Sequence, residues 1–155
     1  MYNQATLFPE VVQWIKANNI KCINLFRRNH LKTIVSLEIA KKRSNFSSRQ
    51  KLESVKVSLD CTSLIKRILE LEQQIDRYRQ IDKTNPYLEL TYEAFVGAKE
   101  ETNKQILEFL EIPIYEPLND EGFSKINSDS LEELIENYQE VCQILKGTKF
   151  EDLLS

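Results

Sequence analysis

A helix-rich α/β fold, with mostly amphipathic helices around about two parallel strands, is predicted by three features of the chain. Apolar residues recur at helical spacing over long stretches, and two short segments alternate as strands do. Roughly sixty residues that include helices separate the two strand-like segments, a length that suits a parallel crossover. The 155 residues make one domain, 1–155. With 41% hydrophobic and 29% charged residues, 3 Gly and 4 Pro, the composition excludes collagen-like, mucin-like and wholly disordered chains.

The first helix spans Leu7 to Asn18, with Val11, Val12, Ile15 and, more loosely, Trp14 apolar and Pro9 suited to its first turn. The apolar run from Ile20 to Phe26 is too short for a helix between the Asn18-Asn19 pair and Arg27-Arg28-Asn29, so it is a strand ending at the arginines. From His30 to Lys42, Leu31, Ile34, Val35 and Ile39 share one helical face. Ser44 to Ser58 is polar and basic without a sustained period, and is expected as a loop.

A long amphipathic helix follows from Thr62 to Asp82, its seam Leu64, Ile68, Leu71, Ile75 and Tyr78 alternating four and three. That seam covers about two heptads, fewer than a coiled coil needs, which favours packing on its own domain. Thr84-Asn85-Pro86 ends the helix, and Tyr87 to Tyr92 alternates as a second strand. Helical period returns from Glu93 to Leu110, then a loop runs to Asp129. Ser130 and Glu133 have the spacing of a capping box before a last helix through Leu131, Leu134, Ile135, Tyr138, Val141 and Leu145, stopping near Gly147. Two strands are few for so many helices, so the chain reads as the later part of a larger α/β domain whose first strands are absent.

The 21 Lys and Arg against 24 Asp and Glu give a net charge of -3, which argues against bulk nucleic-acid binding. Cys22, Cys61 and Cys142 are far apart, form no CxxC pair and share the chain with a single His, so no metal site is expected and reduced thiols are. No run of about 18 apolar residues and no signal-like start occurs, and a cytoplasmic protein without a membrane segment is expected.

The segment Leu25-Phe26-Arg27-Arg28-Asn29-His30-Leu31-Lys32-Thr33-Ile34-Val35-Ser36 carries the functional signal: an Arg at a strand end and a Ser eight residues later on the next helix. A guanidinium offers a planar fork of donors to phosphate oxygens, and a Ser hydroxyl adds a compact donor. Taken alone, the pair fits a solvated strand-end Arg and an exposed helical Ser equally well. The segment resembles the family of sulfotransferases that use 3′-phosphoadenosine 5′-phosphosulfate, in which such an Arg and Ser bind the donor's 3′-phosphate.

The stretch Tyr87 to Pro113, with its Tyr92-Glu93 pair and Phe109-Leu110 ending, is similar to a later strand and helix of that family, and Ser130 to Leu154 looks like the terminal helix of its bacterial and carbohydrate-modifying members. The resemblance implies an incomplete P-loop-type parallel sheet. It also implies a donor site of Arg28 and Ser36, with Arg27 in place of Arg28 if the register shifts by one. Tyr92 is by resemblance an adenine contact, or else a strand-end core tyrosine. The reaction implied is sulfuryl transfer to an alcohol, from a small molecule or a sugar.

The departures are specific. Residues 1–24 contain nothing like the family's 5′-phosphosulfate loop, and Gly97, Gly122 and Gly147 are not placed to form one. The catalytic base is unassigned, and His30, at the start of a helix, suits a turn or capping role. The chain alone is therefore expected to be inactive or very slow, with the missing half supplied by a second polypeptide or by a coding region that starts further upstream, and to expose an apolar strand edge or helix face. A different class of reading makes it a non-catalytic module whose Leu64 to Tyr78 seam binds a partner helix.

Overall fold

A computed structural model describes residues 9–43, 55–81, 85–113 and 130–155. In chain order the elements are α1 (Pro9–Ala17), β1 (Cys22–Phe26), α2 (His30–Arg43), α3 (Leu64–Ile81), β2 (Tyr87–Thr91), α4 (Tyr92–Gly97), α5 (Lys99–Leu110), α6 (Leu131–Leu134), α7 (Tyr138–Leu145) and a 3-10 turn (Glu151–Leu154). This is a helix-rich α/β fold with a two-stranded parallel sheet, as the periodicities predict. The expected loops over 44–54 and 114–129 lie outside the described residues. The chain divides into two units, Met1–Arg28 with Glu70–Glu116, and Asn29–Leu69 with Pro117–Ser155.

In the first unit, Asn18 and Asn19 stop α1. The Asn18 side-chain amide and backbone N–H both donate to the Trp14 carbonyl, at 2.8 and 3.1 Å, and Asn19 takes a left-handed φ of 49°, which Asn tolerates better than most residues. β1 and β2 pair in register from Cys22 opposite Tyr87 to Phe26 opposite Thr91. One sheet face carries Asn24, Phe26, Tyr87 and Glu89, and the other carries Ile23, Leu25, Leu88 and Leu90. On the first face the Asn24 amide donates to the Tyr87 hydroxyl at 2.8 Å, and Arg79 of α3 lies 5.1 Å from the Phe26 ring while bonding Glu89. On the other face Leu90 is buried, but Ile23 and Leu25 are 39% and 48% exposed. Val11 and Trp14 of α1 are exposed too.

The single helix expected from Glu93 to Leu110 is two. Ala98 sits at φ -143°, ψ 60°, between α4 and α5, and its N–H still bonds the Ala94 carbonyl at 2.9 Å. Gly97 is a weak helix former, and between Phe95 and Ile106 no long apolar stripe holds one axis, so the break costs little packing. Lys21 closes the far end of α5, donating from Nζ to the Phe109 carbonyl at 2.8 Å and pairing with Glu111 at 2.9 Å.

The second unit holds most of the buried apolar residues. Leu31, Ile34, Val35 and Ile39 line the buried face of α2, and Leu64, Ile68, Leu131, Val141 and Leu145 are buried from the other helices. Of the α3 seam, Leu64 and Ile68 are buried here and Leu71 and Ile75 in the first unit, while Tyr78 is half-buried. Glu38 of α2 pairs with Arg67 of α3.

The last helix, expected unbroken through Leu145, is interrupted. Ile135 is extended at φ -108°, ψ 123°, and forms a parallel bridge with Val57, through Val57 N–H to the Leu134 carbonyl and Glu136 N–H to the Val57 carbonyl, both 2.9 Å. The Asn137 side chain continues the bridge, donating to the Leu59 carbonyl and accepting the Leu59 N–H, each at 2.9 Å. Val57 and Leu59 are thereby buried, although the sequence around Val57 reads as loop. Burying Val57, Leu59 and Ile135 together outweighs one continuous α-helix. Ser130 occupies the N-cap of α6 without a side-chain capping bond, so the expected capping box does not form.

Candidate anion site at the strand ends

Parallel pairing carries both strands out of the sheet at the same edge. Arg27 and Arg28 follow Phe26, and Tyr92 and Glu93 follow its partner Thr91. This is the carboxyl edge, where open parallel sheets place their ligands. Thr91 turns the chain into α4 by accepting the Ala94 N–H on its hydroxyl at 3.2 Å, which fixes where Tyr92 and Glu93 emerge.

Four residues meet there. The Arg27 guanidinium lies over the Tyr92 ring, 4.8 Å from its centre, and its Nε is 3.8 Å from Glu93 Oε1. The Arg28 backbone N–H donates to the other carboxylate oxygen, Glu93 Oε2, at 3.2 Å. Arg27 is half-buried, whereas Arg28 is exposed and its guanidinium makes no hydrogen bond or ion pair among the described residues. One guanidinium and one backbone N–H therefore face the Glu93 carboxylate, with the exposed Arg28 side chain as the second cation of the site.

Arg27, Arg28 and Tyr92 are thus brought together in the first unit. Ser36 belongs to the second unit, on α2, where it is exposed. His30 is the first residue of α2, and the cap before it is Asn29: its Oδ1 accepts the Lys32 N–H at 2.9 Å. Asn29 Nδ2 donates to the carbonyls of Leu153 at 2.9 Å and Ser155 at 3.3 Å, so the residue after Arg28 has a structural task of its own.

Glu93 is the site residue that sequence reasoning missed. The contact follows the last strand pair, Phe26 with Thr91, through the Arg28 backbone N–H, and neither segment read alone supplies the register that brings the two together.

Cys22, Cys61 and Cys142 are free thiols. Burial pushes the Cys61 thiol up, with Glu140 and Asp60 adding to the effect, which disfavours its reactive thiolate. Among the described residues no group of three or more His, Cys, Asp or Glu is arranged to hold a metal ion, and no helix is long and apolar enough to cross a membrane. No protein-family model, curated protein or solved structure matches the chain.

Proposed function

We propose that the chain is a sulfotransferase-like protein that binds the 3′-phosphate of 3′-phosphoadenosine 5′-phosphosulfate. The observation that supports this most is the parallel register that delivers Arg27-Arg28 and Tyr92-Glu93 to one carboxyl edge. The residues fit such a group. The Arg28 guanidinium, without a hydrogen bond or ion pair among the described residues, suits a phosphate bidentately, and the Tyr92 ring offers an aromatic surface for adenine to stack on. Ser36 is the second phosphate ligand in this reading.

When bound, the nucleotide supplies the sulfuryl group, and an alcohol of a small molecule or sugar receives it. This chain's arginines bind and orient the nucleotide through guanidinium donors. Arg27, Arg28, Ser36 and Tyr92 are thus binding residues in this reading, and the described residues assign neither the 5′-phosphosulfate loop nor the base. The reading includes a cytoplasmic location, which the unbridged cysteines support.

Calorimetry of the full chain with 3′-phosphoadenosine 5′-phosphate tests it. Binding is expected, weakened about ten-fold or more by Arg28→Ala through loss of a charge-assisted contact. Tyr92→Ala and Ser36→Ala are expected to weaken it as well. Absence of binding, or binding indifferent to Arg28, refutes the proposal.

A further inference from the structure

We propose that Glu93 is a positioning residue of the strand-end site: its side chain holds the Arg28 backbone and so fixes where the Arg28 guanidinium is presented to an anion. The inference deepens the nucleotide reading and rests on it only for the identity of that anion.

The sheet ladder ends at the pair Phe26 with Thr91. There Thr91 turns its own strand into α4, its hydroxyl accepting the Ala94 N–H at 3.2 Å, so the chain past Phe26 has no further strand in β2 to pair with. A backbone donor at that point needs another acceptor. Glu93 Oε2 provides it, taking the Arg28 N–H at 3.2 Å, while Oε1 of the same carboxylate lies 3.8 Å from Arg27 Nε. A side chain thus stands in for the missing rung, two residues beyond the last strand pair.

The consequence falls on Arg28. Its guanidinium is exposed and makes no hydrogen bond or ion pair among the described residues, so the far end of the side chain is not held. The latch acts at the near end, on the backbone from which the side chain departs. A site ordered in this way loses less conformational freedom when an anion arrives. The carboxylate's charge works in the opposite sense, because it repels any anion that the guanidinium attracts. The two effects are separable: the hydrogen bond needs an oxygen, and the repulsion needs a charge.

The test compares Glu93→Gln with Glu93→Met in the full chain. Both replacements are uncharged and similar in length and helix propensity, and only Gln keeps an oxygen that can accept the Arg28 N–H. Without ligand, the Arg28 amide hydrogen should exchange roughly three-fold or more faster in the Met variant than in the Gln variant, as nuclear magnetic resonance would show. With 3′-phosphoadenosine 5′-phosphate, calorimetry should give an affinity about five-fold weaker for Met than for Gln, as loss of one neutral hydrogen bond implies. Arg28→Ala leaves the N–H in place and removes the guanidinium. In that background the Gln and Met variants should bind alike, which a merely structural effect of residue 93 would not produce. Glu93→Ala, which also lacks an acceptor, replaces the Met variant if the latter loses the native circular dichroism spectrum.

Equal exchange of the Arg28 amide in the two variants overturns the inference, and so does an affinity difference that persists without the Arg28 side chain. If the amide responds as expected while the nucleotide does not bind the wild type, the nucleotide reading fails and the Glu93 assignment stands. If the nucleotide binds through Arg28 with equal affinity in the Gln and Met variants, the Glu93 assignment fails and the nucleotide reading stands.

Discussion

Arg79 holds Glu89 through two parallel hydrogen bonds, Nε to Oε2 at 2.9 Å and Nη2 to Oε1 at 3.0 Å. The fork joins the end of α3 to β2, and the Tyr87 hydroxyl donates to the same carboxylate at 3.2 Å. Its effect on the two groups is reciprocal: the bond to Arg79 holds the Glu89 carboxyl below its usual 4.5, and the bond to Glu89 raises Arg79.

The sign of the resulting pH dependence follows from linkage. A carboxyl whose pKa is depressed by folding contributes stability that is fully present above its unfolded value, and that stability is lost as pH falls through the folded value. Arg79→Lys keeps the charge and loses the fork. Both side chains reach solvent, so the cost at pH 7 should be only about 0.5 to 1 kcal/mol. Urea titrations should show the difference at pH 7 and its shrinkage at pH 3, and a difference that grows in acid would contradict the assignment.

Asn29 separates two tasks that one substitution can divide. Its Oδ1 caps α2 and its Nδ2 ties down the carbonyls of Leu153 and Ser155. Asn29→Ala removes both and should cost about 1 to 2 kcal/mol. Asn29→Asp keeps the cap and loses only the donor, so its cost should be smaller. Equal destabilisation by both variants in thermal unfolding would show that the cap contributes nothing.

The strand boundaries and the parallel crossover were legible because alternation, the Asn18-Asn19 stop and Pro86 each act locally. The break at Ile135 was not. Its cause is Val57, far away in sequence, and the helical spacing of Leu131, Leu134 and Ile135 hid an extended residue whose neighbours, the Leu134 carbonyl and the Glu136 N–H, bond Val57. At the candidate site, Arg27, Arg28 and Tyr92 were readable as strand-end residues. The Glu93 carboxylate between the arginines was hidden because it depends on register, which no single segment specifies.

Asp60 gives a second acid-sensitive contact. Its carboxylate accepts the hydroxyl of Ser63 at 2.6 Å and the hydroxyl and N–H of Thr62 at 2.6 and 3.0 Å, which lowers its pKa from 3.8 to about 2. These bonds order the turn that leads into α3. The stability they contribute is present above pH 3.8 and lost as pH falls through about 2. Asp60→Asn should therefore flatten the acid limb of the stability curve between those values. An acid limb identical to the wild type's would place the responsible carboxylates elsewhere.

The distribution of buried residues predicts unequal resistance to opening. In the first unit the buried apolar side chains are Phe26, Leu71, Ile75 and Leu90, while Ile23 and Leu25 on the sheet's second face remain exposed. In the second unit Leu31, Ile34, Leu64, Ile68, Val141 and Leu145 are each 1% exposed or less. Local stability follows buried apolar contact, so amides of β1 and β2 should exchange through a lower-energy opening than those of α2 and α7. The same contrast should appear in mutants. Ile34→Ala leaves a cavity among fixed neighbours and should cost about 2 to 5 kcal/mol, whereas Ile23→Ala removes a side chain already 39% exposed and should cost about 1 kcal/mol or less. Native-state hydrogen exchange under increasing denaturant measures both effects. Uniform protection of β1, β2, α2 and α7, with equal losses in the two variants, would make the chain one cooperative unit and overturn this expectation.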